Sequence, residues 1–323
     1  MLHDVTAALA RAHRVLLTAP SELDADAIGA LEALRRLLPA RWPHLEVRIV
    51  IDEPVPPSLG FLCPIEHFAD AATTPVTPAD VAVVVDGDPA RLQASAAHVA
   101  QATTTIMIDH HRTSATSPVQ LRLFDPAAAS TTTLVLLLAD HWGAPLDPPT
   151  ATALYAGIAF DTGTFRYRNT SPATHRAAAR LLEAGVDHAP LIERILLEQG
   201  EEKARLRGQV LTGLRKAAGG RAAWATLRAA ECRGANTGGL VDELVFLRGV
   251  EVGLLITERG DGKVRVSLRS RGGIDVAAIA QQLAPGGGGH AQAAGAVIVG
   301  RLRAVEQAAL AAVEAAFSAA PPR

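Results

Sequence analysis

An α/β fold is what this sequence predicts: a doubly wound, mostly parallel sheet, joined by a helical linker to a smaller α/β domain. Three observations carry the prediction. Short Val/Ile/Leu-rich runs alternate with helical stretches in the first half, the mark of parallel strands buried on both faces. Residues 127 to 217 are then almost wholly helical in pattern. A hairpin, a helix, a Gly-rich segment and an alanine-rich helix follow as a second, shorter series. The implied division is 1–189, a linker over 190–218, and 219–323.

The elements read in order. "RVLLT" (14–18) is a strand and "AIGALEALRRLL" (27–38) a helix; "LEVRIVI" (45–51) and "VAVVVD" (81–86) are the next strands. "PARLQASAAHVAQA" (89–102) reads as helical, before strands at "TIMID" (105–109) and "VQLRLF" (119–124). "SPATHRAAARLLEAGV" (171–186) has Ser and Pro at cap and first-turn positions and a Gly at its end, which bound a helix. "VEVGLLITERGDGKVRVSLRS" (250–270) reads as two strands around an Asp-Gly turn, followed by helical "IDVAAIAQQL" (274–283).

Composition narrows the class. A formal net charge of -2 gives no global positive field to recruit duplex nucleic acid or a membrane surface. The two cysteines, Cys63 and Cys232, lack metal or redox spacing and suit a reduced, cytoplasmic setting. No run is long and apolar enough to span a bilayer. The sequence is silent on oligomeric state, and a homodimer is left open.

Titratable groups collect where strands end. "RVLLT" leads into Glu22, Asp24 and Asp26; "VAVVVD" ends on Asp86; "TIMID" ends on Asp109 and runs into His110 and His111. Parallel neighbours would bring these ends to one edge of the sheet, where ligands of doubly wound folds gather. Asp161 ends an apolar helix and is followed by Thr-Gly. Carboxylates so close repel one another, and divalent ions resolve this, with Mn²⁺ favoured by an oxygen-rich set carrying imidazole. Asp26 begins the helix that follows, whose free backbone N–H groups are expected to receive a phosphate.

In the second half, "PGGGGHAQAAGA" (285–296) frees the backbone for close approach to a ligand. Gly287, Gly288 and Gly289 are candidate nest residues, closed by His290. Arg265, Arg269 and Arg271 fall on alternate positions of one expected strand, a candidate phosphate clamp.

These motifs resemble the DHH phosphoesterase superfamily, in its nano-RNase and pAp-phosphatase branch with a DHH-associated C-terminal domain. The resemblance rests on "DADAIGA", "VVVDGD", "IDHHRT", "FDTGTFRYRNTSPATHRAAARLLEAG", "VSLRS" and "GGGGHAQAAG" and spans nearly the whole chain. It implies two Mn²⁺ ions (Mg²⁺ or Co²⁺ being alternatives) held by Asp24, Asp26, Asp86, His110 and Asp161. His111 would contact the scissile phosphate and Asp109 would orient a histidine. Arg269, Ser270, Arg271 and the loop at Gly287–His290 would hold the nucleotide end. The implied chemistry is hydrolysis of very short RNA, or of linear dinucleotides such as pApA, to mononucleotides, and removal of the 3′-phosphate from pAp. One departure stands out. The related pattern at the first motif is His-x-x-Pro-Asp-x-Asp, and the histidine position here is Pro20, leaving Glu22 as the candidate substitute ligand. A RecJ-like 5′ exonuclease on single strands and a non-catalytic nucleotide sensor are the competing readings.

Overall fold

The computed structural model describes residues 1–198, 200–232, 235, 237–271 and 273–319. The chain divides into two compact units, Met1–Glu198 and Gln199–Arg323.

The first unit opens with α1 (Leu2–Arg11), β1 (Arg14–Thr18), α2 (Ala25–Arg41), β2 (Glu46–Ile51) and the short β3 (Phe68–Asp70). β4 (Ala79–Val85), α3 (Ser95–Val99), β5 (Ala102–Asp109) and β6 (Leu121–Phe124) follow. Helices α4 (Thr131–Trp142), α5 (Pro148–Asp161), α6 (Pro172–Glu183) and α7 (His188–Ile192) complete it, with one π-helical turn at Glu193–Leu197. The six strands form one sheet in the order β3-β2-β1-β4-β5-β6, and every neighbouring pair is parallel. Valine dominates the centre for a physical reason. Val81, Val83, Val84 and Val85 are all buried, and β-branched side chains pack well on both faces of a covered sheet.

The order β1-β4-β5 positions the site. It places the ends of three parallel strands side by side, so Asp86 and Asp109–His111 emerge on the same edge as the loop from β1 to α2. The strands expected from sequence all form. The expected helix over 89–102 does not run that length: it breaks into a 3₁₀ turn at Pro89–Arg91 and the five-residue α3. Asp52 accounts for the break by accepting hydrogen bonds from the Gln93 and Ser95 amides, which fixes the chain between the two pieces.

The second unit holds α8 (Glu201–Thr212), β7 (Arg215–Ala217), β8 (Ala222–Leu227), α9 (Ala229–Cys232), α10 (Asp242–Val245), β9 (Val252–Glu258) and β10 (Lys263–Ser270). It closes with α11 (Val276–Leu283), β11 (Gly288–His290), β12 (Ala293–Val299) and α12 (Leu302–Ala319). Its sheet has the order β11-β12-β10-β9-β8-β7 and is antiparallel except where β8 meets β9. Residues 190–218 thus contain the end of α7, the π turn, α8 and the edge strand β7. Alternation along β10 buries Val264, Val266 and Leu268 against α11 and α12 and turns Arg265, Ser267 and Arg269 to the other face. Among the described residues no helix is long and apolar enough to cross a membrane.

Candidate metal centre

Asp24 is the N-cap of α2. Its Oδ1 accepts from the Asp26 amide at 2.9 Å and the Ala27 amide at 3.1 Å, as a capping carboxylate should. The helix start expected to receive a phosphate therefore already carries an internal anion. Asp26, two residues on, is fully buried. Its Oδ2 accepts from the Thr131 amide at 2.6 Å, and its Oδ1 from the Thr132 amide at 2.9 Å and the Thr132 hydroxyl at 2.7 Å. One carboxylate so joins α2 to the first turn of α4, more than a hundred residues later.

Close approach makes this possible. A Cβ at Gly157 on α5 would lie 2.4 Å from Asp26 Oδ1 and 2.4 Å from Thr132 Oγ1. Only glycine leaves room for the pair there.

Asp86 follows β4 with a left-handed φ of 56°, a conformation aspartate tolerates better than most residues. Thr131 Oγ1 donates to its Oδ1 at 3.0 Å. His110 follows β5; its Nδ1–H donates to the Ala128 carbonyl at 3.3 Å. That bond sets the tautomer and turns Nε2 toward the acids, 3.0 Å from Asp161 Oδ2, 3.9 Å from Asp86 Oδ1 and 4.0 Å from Asp26 Oδ2. Single ligand atoms of Asp26, Asp86 and His110 lie within 4.8 Å of one another, and so do those of Asp86, Asp109 and His111.

Asp109 and His111 form a second pair beside the first. Asp109 Oδ1 accepts from His111 Nδ1 at 2.8 Å and from the amides of His110 at 2.8 Å and His111 at 3.1 Å. Burial alone would raise this carboxyl; the hydrogen bond and charge of His111 hold it below its ordinary value.

Electrostatics separate the groups. Burial, then the charges of Asp161 and Asp26, push Asp24 up to about 7. Burial and Asp161 raise Asp26, while burial and the neighbouring carboxylates raise Asp86 well above its usual range. Burial would lower His110, yet the hydrogen bond and charge of Asp161, with Asp26 and Asp109 behind it, carry it up to about 9. Without a cation the folded chain therefore gathers protons at this place. A hard, oxygen-rich set with one imidazole, its second nitrogen already held by a carbonyl, fits a divalent cation well.

Two first-motif residues sit apart from these clusters. Pro20 packs beside Gly87, its Cγ 3.0 Å from where a Cβ on that glycine would be. Glu22 is exposed, with a φ of 73°, and its amide donates to the Glu53 carboxylate. Neither is among the ligand groups that lie within 4.8 Å of one another in the described residues.

In the second unit, Arg269 Nε donates to Asp242 Oδ1 at 3.0 Å and its Nη1 to the Leu268 carbonyl at 3.2 Å. Ser270 is buried on the opposite face of β10, and its amide donates to the Gln292 carbonyl. Arg271 lies past the strand end, 5.7 Å over the Phe246 ring. The glycines divide by role. A Cβ at Gly287 would lie 2.0 Å from the Ala280 carbonyl oxygen, and the Gly287 amide donates to Ala284, so this residue serves helix packing rather than an open nest. Gly288, Gly289 and His290 form β11, paired with Gly295, Ala294 and Ala293 of β12. Sequence reasoning missed Thr131, Thr132, Gly157 and Asn169; "AASTTT" and "YAGIAF" carry no carboxylate, imidazole or cation to draw the eye, and Asn169 has none either.

Residues 14–158 match the DHH family, N-terminal domain, and residues 216–319 the DHHA1 domain. The chain belongs to the DHH phosphoesterase superfamily, a class of hydrolases. Over 277 residues it is 34% identical to the bifunctional oligoribonuclease and PAP phosphatase NrnA of Thermus thermophilus, spanning 86% of this chain and 82% of that one. That similarity places it in the NrnA-like branch. The fold matches an exopolyphosphatase-related protein from Bacteroides fragilis with a TM-score of 0.88 at 22% identity, covering 98% of this chain and 97% of that one. RecJ of Thermus thermophilus in complex with Mn²⁺ matches at a TM-score of 0.56 and 18% identity, covering 99% of this chain and 55% of that one.

Proposed function

We propose that this phosphoesterase is divalent-cation-dependent, Mn²⁺ being favoured, and that it hydrolyses very short RNA to mononucleotides and removes the 3′-phosphate of pAp. The observation that carries the reading is the meeting of Asp26, Asp86, His110 and Asp161, from four separate segments, around the Nε2 of one imidazole. The oligoribonuclease and PAP phosphatase activities named for the NrnA relative supply the substrate class.

Asp24, Asp26, Asp86, His110 and Asp161 would hold the cations, with Asp86 central because its Oδ1 faces both histidines. Divalent cations held there would supply Lewis-acid activation of a water nucleophile and neutralisation of charge on the attacking and leaving oxygens. The protein's own part is positional. Ala128 fixes His110, and Thr131 and Thr132 fix Asp26 and Asp86. His111, oriented by Asp109, would donate to a phosphoryl oxygen as negative charge develops there. Arg269, its Nε steadied by Asp242, would bind the anionic nucleotide end, together with Arg271 and the strand Gly288–His290.

A substrate panel tests this. Chelator-treated protein receives Mn²⁺ or Mg²⁺ and is offered pAp, pApA, a short RNA, long single-stranded DNA and pyrophosphate. The proposal expects turnover of pAp and the short RNAs only, abolished by chelator. Preferential, processive digestion of long DNA would sink it in favour of a RecJ-like activity; tight binding without turnover would indicate a sensor.

A further inference from the structure

One short turn, residues 128–132, touches three of the four groups around the His110 Nε2 position. The Ala128 carbonyl accepts from His110, the Thr131 and Thr132 amides hold Asp26, and the Thr131 hydroxyl holds Asp86. Asp161 arrives separately, at the C-terminal end of α5. Asn169 joins it to the turn: its Nδ2 donates to the Ala129 carbonyl at 2.9 Å and to the Asp161 carbonyl at 3.1 Å. Two carbonyl acceptors demand the amide nitrogen, so chemistry fixes the orientation of this side chain.

The backbone between Asp161 and Asn169 makes such a tie consequential. Gly163, Thr164 and Phe165 are all left-handed, with φ of 55°, 59° and 63°. Two of these are non-glycine residues in a conformation that persists only where the surroundings enforce it. Asn169 provides enforcement at the far end of the loop. It does so although its Oδ1 is buried with no hydrogen-bond partner among the described residues, a desolvation cost that the two donated bonds must offset.

We infer that Asn169 is a positioning residue for the cation centre: by bridging Ala129 and Asp161 it locks the Asp161 carboxylate onto the imidazole side of the site. The inference rests on the proposed ligand set. Loss of the bridge lets the 162–168 loop relax and carries Asp161 away from Asp86 and His110.

The test is Mn²⁺ titration calorimetry on chelator-treated full-length protein, comparing wild type, Asn169→Asp, Asn169→Ser and Asp161→Asn, with melting curves in chelator and steady-state kinetics on pAp. Asn169→Asp keeps the shape but replaces both donors with an acceptor. The expected result is Mn²⁺ affinity about 10–100-fold weaker in that variant, as for other residues that hold ligands in place. Asn169→Ser, with one shorter donor, falls between it and wild type, and decides the matter if Asn169→Asp does not fold. The variants should lower kcat at saturating pAp with KM little changed. Mn²⁺ affinity equal to wild type overturns the inference, as does a loss that vanishes when titrations are run well below each variant's melting temperature. Failure of the parent reading looks different: wild type itself binds no Mn²⁺, or Asp161→Asn binds it as tightly as wild type. Either result removes the ligand set and the inference with it.

Discussion

His110 Nε2 lies 3.0 Å from Asp161 Oδ2, with Asp86 and Asp26 within 4.0 Å of the same nitrogen. In the cation-free protein a proton holds that position. A bound divalent ion would take it over and expel the proton.

A pH dependence follows. His110 titrates near 6.5 when unfolded and at about 9 when folded, so its imidazolium stabilises the fold fully below 6.5 and loses that contribution as pH rises through 9. Asp24 rises from 3.8 to about 7 on folding, with Asp26 and Asp86 also raised. The folded state thus binds protons that the unfolded chain has released; the Asp24 contribution is fully present below 3.8 and is lost as pH rises through about 7, and Asp26 and Asp86 act in the same direction. Chelator-treated protein should melt at a falling temperature between about pH 5 and pH 9. Mn²⁺ at pH 8 should restore stability and release protons, which calorimetry in buffers of different ionisation heat would count.

Gly157→Ala places a methyl group 2.4 Å from Asp26 Oδ1 and Thr132 Oγ1. Overpacking of this kind costs about 1–3 kcal/mol. Chemical denaturation should show that loss. Mn²⁺ affinity should fall as well, because the displaced group is itself an expected ligand. A variant with wild-type stability and affinity would show that α2, α4 and α5 do not pack at the site as described.

His111 and Asp109 should separate chemistry from cation binding. His111→Ala is expected to lower kcat by about 10²–10³-fold, the usual loss when one donor to a developing charge is removed, with Mn²⁺ affinity little altered. Asp109→Ala frees the His111 ring and should cost about 10–100-fold. Equal activity in the pair and wild type would remove His111 from the reaction.

The first motif makes an opposite prediction. Pro20 offers no ligand atom, and Glu22 is exposed. If Glu22 compensates, Glu22→Gln should weaken Mn²⁺ binding; a titration superimposable on wild type would show that it does not. Pro20→His, which restores the histidine of the related pattern, should strengthen binding at the same site.

Much of this was legible in the sequence, and the reason is physical. Asp86 and Asp109–His111 end runs of buried valine and isoleucine, so the period that marks a strand also marks which residue leaves it at the sheet edge. Asp161 was readable as a helix end and Asp26 as a helix start, two residues inside the actual cap, Asp24. Thr131, Thr132 and Asn169 were not, because they act through amides, hydroxyls and carbonyls on residues far away in the chain: Thr131 and Asp26 are 105 positions apart. In sequence "STTT" is merely a helix start, with Ser130 as its cap. Gly287 misled for a related reason. A glycine run signals close approach, but not whether a ligand or the Ala280 carbonyl is what approaches. Strands β7 and β8 escaped notice because "RKA" is three residues long and "AAWATL" is alanine-rich, which suggests helix.

The central claim is that Asp26, Asp86, His110 and Asp161 share a bound cation. Anomalous diffraction at the manganese edge, from crystals grown with Mn²⁺, addresses it most directly. The account predicts a peak within coordination distance of His110 Nε2 and the Asp86 carboxylate, with Asp161 as a further ligand. Crystals that show Mn²⁺ bound elsewhere, with the His110–Asp161 contact still closed at 3.0 Å, would contradict it.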